Sequence, residues 1–152
     1  MIAHPTNVHG TAIVIGTTGL LFVGPSGAGK SAVALHCIYE ARARGLSAAL
    51  VSDDQVLITE EDGSLVARAP ASIAGLAEVR GAGLIRVETT EKAILHRAIR
   101  PIEPPFAERL PPEGETIEVL PGRFLPLTRL PLFSGCTAFS ILATIHPEIL
   151  RD

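Results

Sequence analysis

Tryptophan is absent, tyrosine occurs once and phenylalanine five times in 152 residues. With 47% apolar residues and so few rings, the core has to be built from aliphatic side chains. The two cysteines, Cys37 and Cys136, are too few for a disulfide framework and lack the paired spacing of a metal site. Both lie in apolar patterns, which reads as two buried free thiols in a reducing cytoplasm. The best apolar run, 12–23, is broken by Gly16-Thr17-Thr18-Gly19 and is too short to span a bilayer. No basic segment, apolar run and cleavage site open the chain, so no targeting segment is read. A basic excess is missing too: 13 Lys and Arg against 16 Asp and Glu give a net charge of −3. That excludes a non-specific nucleic-acid binder, which needs cations to neutralise phosphates. High apolar content with low net charge excludes disorder. At roughly 150 residues per domain the chain reads as one domain. Its size is enough to bury about 70% of the unfolded surface without a metal or disulfide staple.

Glycine and proline are unevenly spread. Eleven of 14 glycines fall at or before Gly83, and eight of 12 prolines fall between Pro101 and Pro131. The first part reads as tight strand-to-helix turns, the second as a loop-rich cover. The runs 12–15 and 20–23 read as short buried strands joined by a hairpin. Residues 30–44 read as a helix, with Ala34, Cys37, Ile38 and Ala41 at helical spacing and Gly45 as the stop. A third strand is expected over 47–51. A second hairpin is expected from 55–59 and 64–69, around Glu60-Glu61-Asp62-Gly63. Residues 89–97 are expected to be helical, capped by Thr89 or Thr90. Five prolines exclude regular structure from 101–115. A strand is expected over 116–120 and a last helix over 137–145.

The chemistry concentrates at Gly24-Pro25-Ser26-Gly27-Ala28-Gly29-Lys30-Ser31, which satisfies G-x-x-x-x-G-K-[ST] at every fixed position. An apolar strand precedes it and an amphipathic helix follows, the context a phosphate-binding loop requires. Glycines let backbone N–H groups converge on phosphate oxygens, and the helix start adds its dipole. Lys30 is expected to reach the β- and γ-phosphates and the Ser31 hydroxyl to hold Mg²⁺. The strand over 47–51 runs into Ser52-Asp53-Asp54, which places carboxylates at the nucleotide's edge of the sheet. In an extended chain the two aspartates point to opposite sides, one toward the metal–phosphate centre and the other toward the acceptor or a structural partner. Glu78-Val79-Arg80-Gly81-Ala82-Gly83 offers a carboxylate and a guanidinium on one face, for metal and phosphate respectively. Gly81 and Gly83 allow close backbone approach. His9 and the other histidines carry no spacing that signals catalysis.

In order along the chain, His9-Gly10, the phosphate loop, Val51-Ser52-Asp53-Asp54 and Ala77-Glu78-Val79-Arg80-Gly81-Ala82-Gly83-Leu84-Ile85 together resemble the catalytic domain of the HPr kinase/phosphorylase family. Val119-Leu120-Pro121-Gly122-Arg123 is a weaker match. The likeness is to the short, alphaproteobacterial-type form that consists of the catalytic domain alone. It implies an α/β fold: a P-loop kinase core with a twisted mixed sheet, flanking helices and extra hairpins, similar to PEP carboxykinase. It also implies an ATP- and Mg²⁺-dependent serine kinase that phosphorylates the phosphocarrier HPr in the cytoplasm. The reverse reaction, removal of the phosphoryl group by inorganic phosphate, belongs to the same family.

By resemblance, Lys30 binds phosphate, Ser31 with Glu78 binds Mg²⁺, and Asp54 is the base for the serine hydroxyl. His9 acquires a catalytic role only in this way. The family's catalytic loop arginine maps onto Arg109, the only basic residue between Pro101 and Glu118. Segment 101–115 would then be a mobile, Pro- and Glu-rich loop that closes over the site. Two positions depart from the longer enzymes: Ala32 stands where Glu is common, and Phe124 where Asn is common. The second lies in the segment linked to dephosphorylation. The family is typically hexameric. Whether ATP or pyrophosphate is the donor stays open. So do two other readings: a P-loop kinase of a small metabolite, and a non-catalytic nucleotide sensor.

Overall fold

A computed structural model describes residues 4–25, 29–79, 81–106 and 108–151. Most expected elements form where the patterns put them. β2 (Thr11–Ile15) and β3 (Thr18–Phe22) make the first hairpin, turning at Gly16, which has a positive φ. α1 (Lys30–Ala43) follows the phosphate loop and stops at Gly45, whose φ of 84° suits a residue without a Cβ. β4 (Ala48–Ser52) precedes a second hairpin, β5 (Gln55–Glu61) and β6 (Ser64–Arg68). α2 (Ala138–Ile145) closes the chain, with the Thr137 hydroxyl accepting from Ser140 N at 3.1 Å as its cap.

Six further strands complete the fold. β1 (Thr6–His9) pairs with β5, and β7 (Leu76–Val79) with β8 (Gly83–Arg86) forms a separate two-stranded ribbon. β10 (Thr116–Leu120) and β11 (Arg123–Pro131) form a hairpin. The sixth is β9 (Lys92–Ile102), and it corrects an expectation: residues 89–97 are not helical. Ala, Leu, Lys and Arg favour a helix locally. The chain nevertheless enters a slot where β6 and β11 flank one edge of β9 and β3 the other, so backbone pairing overrides propensity. Thr90 N, expected near a helix cap, donates instead to Leu50 O at 3.0 Å beside β4.

Pro101 also lies inside β9, so among the described residues only 103–106 and 108–115 lack regular structure in the segment expected to be irregular. It shares strand parity with Ile99, whose carbonyl accepts from Val23 N. Its missing N–H therefore lies on the β3 side, beyond the end of that strand, where it removes no ladder bond.

The main sheet runs β1-β5-β6-β9-β3-β2-β4, with β11 on β9 and β10 on β11. β3, β9 and β11 are parallel; most other pairs are antiparallel. β4 and β5 sit at distant places in this order but adjoin through Asp53 and Asp54, so the sheet curls. Two cores result. Ile13, Ile15, Leu20 and Phe22 pack against α1 and α2, through Ala34, Ile38, Phe139 and Leu142. Ala12, Leu21, Val23 and Val51 pack inside the curl with Val56, Ile58 and Leu125. Strands buried on both faces explain the near-continuous apolar runs. Cys37 lies in the first core, and burial pushes its thiol up to about 12. Cys136 is exposed, contrary to the expectation of two buried thiols. It sits in the turn before α2, whose apolar face begins only at Phe139.

Candidate active site

The phosphate loop leaves β3 at Gly24, whose φ of 141° carries the chain away from the strand. Ser26, Gly27 and Ala28 lie outside the described residues. Gly29, at φ 83°, precedes α1 and supplies the carbonyl that accepts the first helical bond, from Val33 N at 2.9 Å. Lys30 is buried, and its Nζ donates to Gly24 O at 2.9 Å and Pro25 O at 3.0 Å. The ammonium therefore bridges the loop from its helix end to its strand end. Phosphate oxygens could take the place of those two carbonyls at the same nitrogen.

The two aspartates after β4 diverge sharply. Asp53 is only 5% exposed. Its Oδ1 accepts from the Ser31 hydroxyl at 2.6 Å and the Thr11 hydroxyl at 2.9 Å, and its Oδ2 accepts from Glu78 N at 2.9 Å. Three donors from three elements fix this carboxylate against the start of α1. Asp54 adopts φ 68°, a left-handed conformation that Asp tolerates better than most residues, and its side chain is 66% exposed. Its Oδ1 lies 3.3 Å from His9 Nδ1, and its backbone carbonyl accepts from Gly10 N at 3.0 Å. The β1–β5 pairing sets this up by placing His9 opposite Gln55.

The donor set fits Mg²⁺. A hydroxyl and a carboxylate are hard oxygen ligands, and Mg²⁺ bound with a nucleotide takes only one or two carboxylates beside phosphate and water. Among the described residues no cluster of three or more His, Cys, Asp or Glu is arranged for a metal, so no all-protein cage competes with that reading. Asp53, not Glu78, is the carboxylate bonded to Ser31; Glu78 reaches this centre through its backbone N–H while its side chain is exposed.

Gly81 and Gly83 have φ of 89° and 103° in the β7–β8 turn, next to this centre through Glu78. Arg80 lies outside the described residues. Arg109 is exposed and lines a cleft of about 400 Å³ between segment 103–111 and the end of β11. The structure does not bring Arg123 to the loop. It forms an ion pair with Glu60 and donates to Gly63 O at 3.0 Å, tying the β10–β11 hairpin to the tip of β5–β6. Glu60 is six residues along β5 from Asp54, about 20 Å of extended chain. Thr11 and Arg129 carried no sequence signal. Thr11 sits inside an apolar strand, and Arg129 gains meaning only through Glu115 and Glu108, which lie 14 and 21 residues away.

A strand, phosphate loop and helix, with a buried aspartate bonded to the loop's serine on a curled mixed sheet, define a P-loop domain. The model of the HPr Serine kinase C-terminal domain matches residues 1–97, and the chain belongs to that family. Among curated relatives, the HPr kinase/phosphorylase of Clostridium beijerinckii is 40% identical over 88 residues, 58% of this chain and 27% of that protein. The Clostridium perfringens enzyme of the same name is 41% identical over 86 residues, 57% of this chain and 26% of that protein. The chain thus spans about a quarter of the length of these relatives. The solved Hpr(Ser) kinase/phosphatase of Coxiella burnetii superposes with a TM-score of 0.75. That match has 24% identity and covers 94% of this chain and 89% of the other. At that identity the likeness establishes the fold alone, a curled mixed α/β sheet.

Proposed function

We propose that the chain is an ATP- and Mg²⁺-dependent protein serine kinase acting on HPr in the cytoplasm, as a homo-oligomer. The observation that supports it best is the division of labour between Asp53, locked against Ser31, and Asp54, exposed beside His9. A metabolite kinase would enclose its small acceptor in a pocket. An exposed catalytic carboxylate instead suits an acceptor presented on another protein.

Phosphoryl transfer is mostly positioning and charge neutralisation. Lys30 holds phosphate oxygens, and Ser31 with Asp53 holds the metal, which when bound neutralises phosphate charge. Asp54 accepts the proton of the serine hydroxyl as the serine oxygen bonds to the γ-phosphorus. The bond from that phosphorus to the bridging oxygen breaks, and the nucleoside diphosphate keeps that oxygen. His9 Nδ1 fixes the orientation of the Asp54 carboxylate. Arg109, in the segment that follows β9, adds positive charge at the sheet edge that holds the donor.

Incubation with HPr, Mg²⁺ and γ-labelled ATP should yield labelled phosphoserine, and inorganic phosphate should be tested for driving the reverse. No label, with a control enzyme active in parallel, sinks the reading. Asp54→Asn should lower transfer by about 10²–10⁴-fold with ATP affinity unchanged, as for loss of a general base. Light scattering on the purified chain checks the assembly; a monomer at working concentration removes the oligomer from the proposal.

A further inference from the structure

The cleft lined by Arg109 has features that phosphate chemistry does not need. Its volume of about 400 Å³ falls within the range of small-ligand sites. Phe106, Phe133, Pro105 and Pro131 supply flat apolar walls. The Phe106 and Phe133 rings meet edge to face at 77°, with centroids 5.4 Å apart, and Phe133 stays 47% exposed. A half-open aromatic wall of this kind leaves a ring face available for stacking.

The remaining wall is held in place. Arg129 Nε and Nη2 bond both oxygens of Glu115 at 2.9 and 3.0 Å, while Nη1 reaches Glu108 at 3.3 Å. Segment 108–115 is thereby fastened to β11. Among the described residues no hydrogen bond or ion pair engages the Arg109 guanidinium.

Strand register carries this cleft to the phosphate loop. Val23 N donates to Ile99 O at 2.8 Å, and Leu132 N donates to Ile102 O at 2.9 Å. β3, β9 and β11 run parallel, so all three end at one sheet edge. β3 gives way to the loop one residue after Val23. β9 gives way to the cleft three residues after Ile99, about 10 Å further along. A nucleoside triphosphate bridges such a span.

We propose that this cleft is the nucleobase subsite for the donor held at the phosphate loop, with the base stacked on Phe133. This rests on the kinase reading and deepens it. It makes the donor a nucleoside triphosphate rather than inorganic pyrophosphate, because a pyrophosphate would leave the aromatic wall unused.

The absence of native tryptophan gives a direct test, since Phe133→Trp places the only indole of the chain in the cleft. With Mg²⁺ present, ATP should quench that fluorescence and inorganic tripolyphosphate should not. Phe133→Ala should weaken ATP binding about tenfold, the scale of one lost base–aromatic stack, with tripolyphosphate affinity unchanged. Unchanged tripolyphosphate binding also shows that the variant is folded. Equal weakening of both ligands, no weakening of either, or no ATP-specific quench overturns the subsite. Wild-type protein that binds neither ligand overturns the P-loop reading beneath it.

Discussion

Asp53 and Asp54 are chemically identical and adjacent, yet the backbone turn at φ 68° gives them opposite environments. One accepts three hydrogen bonds in the interior; the other stands in solvent beside His9. Substitution should separate them. Asp53→Asn removes the charge and one of the two acceptor oxygens that three donors share, at a cost of about 1–3 kcal/mol. For a domain of this size that lowers the melting temperature by roughly 2–4 °C per kcal/mol. Asp54→Asn should leave the melting temperature within the roughly 0.5 kcal/mol scatter of surface changes. Thermal melts of both variants check this, and equal losses would refute the division. That a carboxylate faces the loop was legible in Ser52-Asp53-Asp54. The residue pattern alone did not say which aspartate does so, because adjacency in sequence carries no φ; only the family resemblance separated the two. Thr11 was illegible for a related reason: a hydroxyl in an apolar strand gains a function only when β4 brings Asp53 beside it.

Among the elements, the local patterns that predicted correctly were those whose partner is near in sequence. The two hairpins, α1 with its glycine stop and α2 with its threonine cap are set by contacts within a few residues. β9 was misread because its pairing partners β3 and β11 lie far away in the chain. Its residues satisfy a helical pattern as readily as a strand. The irregular segment after β9 depends on another distant contact, the Glu115–Arg129 pair. Hydrogen bonds from Arg129 hold the Glu115 carboxyl below its ordinary 4.5. A lowered folded-state value means the pair stabilises the protein above about pH 4.5, and that contribution fades as pH falls through the lower folded value. The stability difference between wild type and Glu115→Gln should therefore be constant from neutral pH to about pH 5 and shrink below 4.5. Denaturant titrations across that range measure it. A difference that grows on acidification would contradict the assignment.

Across the whole molecule, composition described the interior better than the surface. An aliphatic interior was expected, and the structure supplies two of them, one on each face of the sheet, with Phe22 and Phe139 the rings in the larger. The thiols report on this arrangement. Cys37 is enclosed and its thiol is pushed up to about 12, while Cys136 is exposed. A disulfide-exchange reagent at neutral pH should titrate one thiol rapidly in the native protein and two after unfolding. Two rapid thiols in the native state would place Cys37 outside the core.

β9 also bears on what the recognised part of the chain can do by itself. The family match ends at residue 97, while the strand continues to Ile102. Leu21 and Phe22, the last residues of β3 before the phosphate loop, pair with Ala98 and Ile99, just past that boundary. Residues 1–97 hold the loop, both aspartates and His9, but not the part of β9 that braces the last two residues of the loop's own strand on that side. Sequence similarity and mechanical self-sufficiency therefore part company at one peptide bond, and the less recognisable third of the chain acts as the anvil for the rest.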